Sequence, residues 1–81
     1  MSKSNFFLSL ETNGFQTKHT NVMDNEGKYK ETYFTKGDIQ LIVTTKGNEV
    51  LWDTIVYSDK NDSGSTIFSN EKDVFNFLKL K

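Results

Sequence analysis

The chain of 81 residues contains no cysteine, proline, alanine or arginine. Without cysteine it cannot form a disulfide or a thiolate zinc site, which fits a reducing compartment. All ten cations are lysine, and the net charge is -1. Because arginine is preferred for bidentate contacts to phosphate and guanine, its absence argues against binding to duplex nucleic acid. The lack of alanine and proline, beside many Lys, Asn, Phe, Ile and Thr residues, indicates an AT-rich coding sequence.

Long hydrophobic runs are also absent. The apolar stretch at residues 6–10 is too short for the core of a signal peptide, and no small-residue cleavage site follows it. No window approaches the length of a membrane span. We therefore expect a soluble, cytoplasmic protein. Its length predicts a single compact domain over residues 1–81, and 35% hydrophobic content is too high for a disordered chain.

Two helices are predicted near the ends of the chain. Residues 5–13 are predicted to form the first, which Asn13 and Gly14 would end. The candidates to cap its start are Ser4 and Asn5. Alternating apolar residues from Phe6 to Leu10 leave a strand as the alternative. Ser69 or Asn70 is expected to cap a C-terminal helix that has acidic residues in its first turn and an apolar side.

The middle of the chain is rich in Thr, Tyr, Val and Ile, which is typical of β-strands. Turn residues at 24–27 and glycines 37 and 47 separate the candidate strands. The predicted strands are a weak polar one at 15–23 and three stronger ones at 28–35, 38–45 and 49–58. The fold class expected is α+β: an antiparallel meander of three to four strands, flanked by an N-terminal and a C-terminal helix packed on one face.

The turns predict how the strands pair. If Lys36-Gly37 and Lys46-Gly47 are two-residue hairpin loops, then Phe34 pairs with Ile39, Val43 with Val50, and Leu41 with Trp52. A slip of one residue would turn a whole strand over, so this register is preferred. The predicted core face carries Thr32, Phe34, Ile39, Leu41, Val43, Val50, Trp52, Thr54 and Val56.

The reverse face combines apolar residues with three tyrosines and three acids. An apolar patch with a polar rim is typical of an interaction surface, and tyrosine often carries binding energy. The candidate partner-binding residues are Tyr29, Glu31, Tyr33, Ile42, Glu49, Leu51, Asp53, Ile55 and Tyr57. The alternative is an ordinary wet face, since antiparallel sheets commonly expose tyrosines. The N-terminal segment could also fold over this side.

Candidate chemical sites are weak. Residues 59–65 match the start of an EF-hand calcium loop, but Asn70 occupies the position of the bidentate acid, so a polar loop is the preferred interpretation. His19 is the only histidine and cannot build a typical zinc or iron site alone. Glu49 and Asp53 would point the same way on one strand, which predicts a solvated acidic patch. No glycine pattern binds phosphate. We expect no metal, no cofactor and no enzymatic activity.

The sequence therefore predicts a small non-enzymatic protein-binding module. It would dock one sheet face or an open sheet edge against a larger protein, and its rim acids would favour a basic partner surface. Size and composition suggest a phage- or mobile-element-encoded inhibitor of a host protein, for example a defence nuclease. Homodimerisation through the same face is a variant of this prediction. The alternative function is single-stranded nucleic-acid binding through the sheet tyrosines, which Glu31, Glu49 and Asp53 oppose by repelling phosphates.

Overall fold

The computed structural model describes residues 2–80 and shows an α+β fold that confirms the predicted class. Six antiparallel strands form one sheet in the order β1-β2-β3-β5-β6, and β4 pairs with β3 beside β5. Along the chain the elements are α1 (Lys3–Thr12), β1 (Gln16–Val22), β2 (Tyr29–Lys36), β3 (Ile39–Lys46), β4 (Glu49–Val50), a 3-10 helix (Trp52–Thr54), β5 (Val56–Asp59), β6 (Ser65–Ile67) and α2 (Glu71–Leu78). No helix among residues 2–80 is long and apolar enough to cross a membrane.

The N-terminal segment is a helix and not the alternative strand. It begins two residues earlier than predicted, because Ser2 is the N-cap and its hydroxyl accepts a hydrogen bond from the Asn5 amide. Asn13 and Gly14 end it as predicted, with Gly14 at a φ of 96°. In α2 the Asn70 side chain accepts from the Asp73 amide at 2.9 Å, as expected for an N-cap.

Both hairpin turns lie one residue later than predicted. The loop residues are Gly37-Asp38 and Gly47-Asn48, and each glycine has a positive φ (61° and 58°) at the first loop position. A positive φ at this position alone is the requirement of a type II′ turn, which glycine meets without strain. Phe34 therefore pairs with Leu41 and not with Ile39. Moving a two-residue loop by one residue shifts the pairing by two, so the faces of β2 and β3 stay as predicted.

The predicted strand at 49–58 is wrong. It breaks into β4, the 3-10 helix and β5. Thr45 pairs with Val50, and the same register continued would pair Leu41 with Thr54. Leu41 instead pairs with Tyr57, three residues further along the chain. A shift of pairing by an odd number of residues exchanges the two faces of a strand. The side chains of β5 therefore point to the faces opposite to those predicted.

The core lies on one side of the sheet, under both helices. Its buried apolar residues are Phe6, Leu10, Phe15, Phe34, Leu41, Val43, Val50, Ile55, Phe68 and Val74. The ring of Phe7 meets Phe34 edge-on at 4.9 Å, and the ring of Phe6 meets Trp52 at 4.8 Å. Burying each large side chain contributes about 1.5–3 kcal/mol. Within residues 2–80 no helix packs on the opposite side of the sheet, where Tyr33, Ile42 and Thr44 are partly exposed, so the N-terminal segment described here does not fold across it.

Candidate interaction surface

The side of the sheet that no helix covers carries a continuous row of aromatic and aliphatic side chains. Cross-strand pairing places one residue from each of five strands side by side in this row. We call this row the apolar stripe; its residues are His19, Tyr33, Ile42, Val56 and Ile67. Directly opposite residues in an antiparallel sheet point to the same face, so the five side chains adjoin one another.

Polar rows border the apolar stripe on both sides. One consists of Gln16, Thr35, Gln40, Ser58 and Ser65, and the other of Asn21, Glu31 and Thr44. Glu31 is the only charged residue in these two rows. The centre of the uncovered face is therefore apolar, its border is made of hydrogen-bonding groups, and it has little charge. This arrangement resembles the apolar, charge-depleted core and polar rim of a protein interface.

A β-bulge in β1 puts His19 into the apolar stripe. Thr17 pairs with Phe34 and His19 with Tyr33, so Lys18 is the extra residue. Without this insertion, alternation would direct His19 to the opposite side of the sheet. On the uncovered face its ring stacks on Tyr33, with 4.2 Å between ring centroids and 17° between ring planes. The bulge therefore extends the stripe to the edge of the sheet.

Tyr33 is anchored by a short hydrogen bond. Its hydroxyl donates to Glu31 Oε1 at 2.6 Å. This bond, then partial burial and the negative charge of Glu31, raise the pKa of Tyr33 above its ordinary value of 10.0. The phenol thus keeps its proton, which it donates in this hydrogen bond to the Glu31 carboxylate. The ring is held between this bond and the His19 stack, which lowers the conformational entropy that Tyr33 would lose on binding a partner.

Five of the nine predicted partner-binding residues lie on the uncovered face: Tyr29, Glu31, Tyr33, Ile42 and Glu49. Tyr33 and Ile42 form part of the apolar stripe. Tyr29 lies further along β2, where Lys46 Nζ is 5.7 Å from its ring centroid. Glu49 pairs with Lys46 at the same end of the sheet, so its negative charge is next to a cation.

The other four predicted residues are placed elsewhere. Ile55 is completely buried in the core, and Tyr57 is on the core face, where its ring meets Phe77 edge-on at 4.8 Å. Leu51 precedes the 3-10 helix and Asp53 lies within it, so neither belongs to the sheet face. The three-residue shift of β5 causes the errors at Ile55 and Tyr57. The 3-10 helix also separates Asp53 from Glu49, so they do not form the predicted acidic pair.

Three residues of the apolar stripe were not predicted. His19 depends on the bulge, and Val56 was assigned to the core face because the break before β5 was not foreseen. Ile67 is in a strand of three residues that lay inside a segment without a strand prediction, and 66% of its surface is exposed. The one sequence signal for these residues was the alternation of apolar and polar side chains within short strands. At β6 this alternation is too short to be decisive.

The loop with the partial EF-hand pattern is held by its own side chains. Asp59 Oδ1 accepts hydrogen bonds from the Asn61 amide at 2.9 Å and from its side chain at 3.3 Å. The same Asn61 side chain donates to Asp38 at 3.0 Å. No group of three or more His, Asp or Glu side chains among residues 2–80 is arranged to hold a metal ion. The carboxylates thus serve as turn caps in this structure.

Comparison with protein-family models, with curated protein sequences and with solved structures finds no match to this chain.

Proposed function

We propose that this protein is a small protein-binding module that docks through the apolar stripe and its polar borders. The observation that carries this proposal is the uncovered row from His19 to Ile67, which contains no acidic or lysine side chain and crosses the whole sheet. Removal of such side chains from water by a partner lowers the free energy and so favours binding. The His19–Tyr33 stack supplies a rigid aromatic anchor, a common feature of interface hot spots.

The dimensions of the uncovered face suit a modest interface. Five strands spaced about 4.8 Å apart make the stripe about 19 Å long. With the two polar rows, each about 7 Å from the stripe, the face covers on the order of 500 Å², below the ~800 Å² per partner of a standard interface. The partner we propose presents a flat, largely apolar surface of similar size. Asp53 is not on this face and Glu49 is beside Lys46. We therefore expect a basic group of the partner only opposite Glu31.

Inhibition of a larger host protein, such as a defence nuclease, by a phage- or mobile-element-encoded module in the cytoplasm remains a prediction within this proposal. A module of this size would inhibit by occupying a surface that its partner needs. Homodimerisation through the stripe is the variant in which the occupant is a second copy.

Single-strand nucleic-acid binding is the second candidate. It is favoured by the aromatic rings of Tyr29, Tyr33 and His19 on one face and by Lys46 over Tyr29. Against it, Tyr57 lies on the core face and Glu31 adjoins the stacking rings, where it would repel a phosphate backbone. Protein docking explains the aliphatic half of the stripe, which a nucleic-acid surface does not require.

The test is capture of a partner from a lysate of the native host by immobilised protein. Ile42→Asp places a charge at the centre of the apolar stripe, and Tyr33→Ala removes the aromatic anchor. The matched control is Leu8→Asp, a charge at an apolar residue of α1 that is 62% exposed and away from the uncovered face. We expect the control to retain the partner and both stripe variants to lose it, with unchanged circular dichroism.

Equal capture by all three variants would show that the stripe is not the docking surface. Light scattering of the purified protein separates a second copy from a different partner. Binding to an oligothymidylate that falls steeply with added salt would favour the nucleic-acid alternative.

A further inference from the structure

The strand β6 (Ser65–Ile67) forms one outer edge of the sheet, and its peptide groups alternate between bonded and free. The Lys60 amide donates to the Asp38 carbonyl at 3.0 Å, which sets the alternation of bonded pairs between β3 and β5. Backbone groups of successive residues point to opposite sides of a strand, so those of Tyr57 point from β5 toward β6. Tyr57 therefore exchanges hydrogen bonds with Thr66 of β6. The N–H and C=O groups of Ser65 and Ile67 therefore point away from the sheet, where an added strand could bind them.

A groove of about 400 Å³ lies beside this edge, on the core side, between β6 and α2. It is lined by Thr66, Ile67, Phe68, Ser69, Asp73, Asn76 and Phe77. The rings of Phe68 and Phe77 meet edge-on at 5.2 Å, yet 48% of the Phe77 surface remains exposed. The two rings and Ile67 therefore give the groove an apolar part, the other lining residues are polar, and Asp73 is the ionisable one among them.

The two edges of the sheet differ in their protection against an added strand. The outer strand β1 carries a bulge with Lys18 at the extra position, and bulges and lysines are the usual means of blocking an edge. The sequence of β6 is Ser-Thr-Ile, without a charge or a bulge. Its shortness limits pairing to about three residues, so any occupant needs a side-chain contact as well as backbone hydrogen bonds.

We propose that β6 binds an extended peptide segment of a partner protein by strand addition, with one large apolar side chain of the peptide in the groove. The peptide residue opposite Thr66 would point to the core side, because directly opposite residues share a face. It would enter the groove and meet Phe77. A lysine or arginine of the peptide two residues away, whose side chain lies on the same face, would be directed toward Asp73. This proposal rests on the protein-binding function above and adds a second contact, continuous with the apolar stripe through Ile67.

A second copy of the chain fits this edge poorly. Two β6 strands related by a two-fold axis would pair around Thr66, so the side chain facing each groove would be a threonine. That side chain is too small and too polar to occupy the exposed part of Phe77. The same pairing would bring two grooves together with an Asp73 carboxylate at each. A different chain with a large apolar residue and a cation satisfies both features.

The test is a titration of isotope-labelled protein with the synthetic peptide acetyl-Lys-Thr-Phe-Thr-Lys-amide, followed by nuclear magnetic resonance. We expect saturable shifts at the amides of Ser65 and Ile67 and at the ring of Phe77. Replacing the phenylalanine of the peptide by alanine should weaken binding about tenfold or more, because it removes the buried ring. Shifts that map to β1, or no saturable shift at all, would overturn the proposal.

Two protein variants test the edge and the charge. Ser65→Pro removes an outward N–H without breaking a bond to β5, so the fold should persist while peptide binding is lost. Val22→Pro is the matched control, since its N–H faces outward from β1 on the same alternation, and it should bind the peptide normally. Asp73→Asn should weaken binding and reduce its dependence on salt. Normal peptide binding by Ser65→Pro, or a dimer of the native protein that Ser65→Pro dissociates, would refute the proposal.

The outcome is separable from that of the proposed function. Ile42→Asp, which should abolish partner capture, should leave binding of the synthetic peptide unchanged. If the peptide does not bind while partner capture still depends on Ile42, the strand-addition proposal is refuted and the proposed function is not. If the peptide binds but Ile42→Asp does not affect partner capture, the apolar stripe is refuted as the docking surface and the strand-addition proposal is not.

Discussion

Replacing Ile55 by alanine tests the break in the predicted strand, because the two orientations of β5 place this side chain on opposite faces. In the structure Ile55 is completely buried among the core residues. Truncating a buried isoleucine to alanine costs about 2–5 kcal/mol, through lost burial and the cavity left behind. A domain of this length is stable by about 4–12 kcal/mol, at ~0.05–0.15 kcal/mol per residue. The substitution should therefore remove a large part of the free energy of unfolding.

The assay is urea unfolding followed by tryptophan fluorescence, together with thermal melting. A loss of about 3 kcal/mol corresponds to a fall in Tm of roughly 12–24 °C in a domain of this size. The chemically matched control is Ile67→Ala, since that isoleucine is 66% exposed and should cost no more than about 0.5 kcal/mol. If Ile55→Ala and Ile67→Ala lower the stability equally, Ile55 is not in the core, and the three-residue shift of β5 is wrong.

Three further outcomes are expected from local geometry. Because the folded pKa of Tyr33 is raised, its contribution to stability is fully present below pH about 10 and is lost as the pH rises through the folded pKa. Glu31→Gln should let this tyrosine ionise at lower pH, as measured by phenolate absorbance; an unchanged titration would contradict the hydrogen bond. Asn70→Ala should cost about 1 kcal/mol by removing the N-cap of α2, which denaturant unfolding would measure. Gly47→Ala should cost about 1–2 kcal/mol because φ there is 58°, whereas Gly64→Ala, without a positive φ, should be close to neutral in the same assay.

The fold class, the two helices, the strands β1 to β3 and the faces of β2 and β3 could be predicted from local signals. Glycine at 37 and 47 marks the hairpins, and alternation from Tyr29 to Thr45 defines two faces. The error in loop position did no harm to the faces, because it moved each pairing by two residues. The predicted face was correct where it depended on these strands, as at Tyr33 and Ile42, whereas their role in binding stays a prediction.

The orientation of β5 could not be predicted in this way. The segment from Leu51 to Thr54 has the composition of a strand, yet it forms a 3-10 turn in which the Thr54 hydroxyl donates to the Leu51 carbonyl at 2.7 Å. The turn lets Trp52 meet Phe6 of α1 at 4.8 Å and brings Ile55 into the core. These contacts join residues more than forty positions apart, which no local pattern reports.

Composition, turn glycines and alternation determined that this chain would form a hairpin-rich sheet with a helix at each end, because these signals act between neighbours in the chain. Tertiary structure alone decided which side chains line the uncovered face. The bulge at Lys18 turns His19 outward, and the packing of Trp52 shifts β5 so that Val56 replaces Tyr57 there. Each of these features shifts the pairing of a strand by an odd number of residues. Because side chains alternate between the two faces of a strand, such a shift moves core residues to the surface and surface residues to the core.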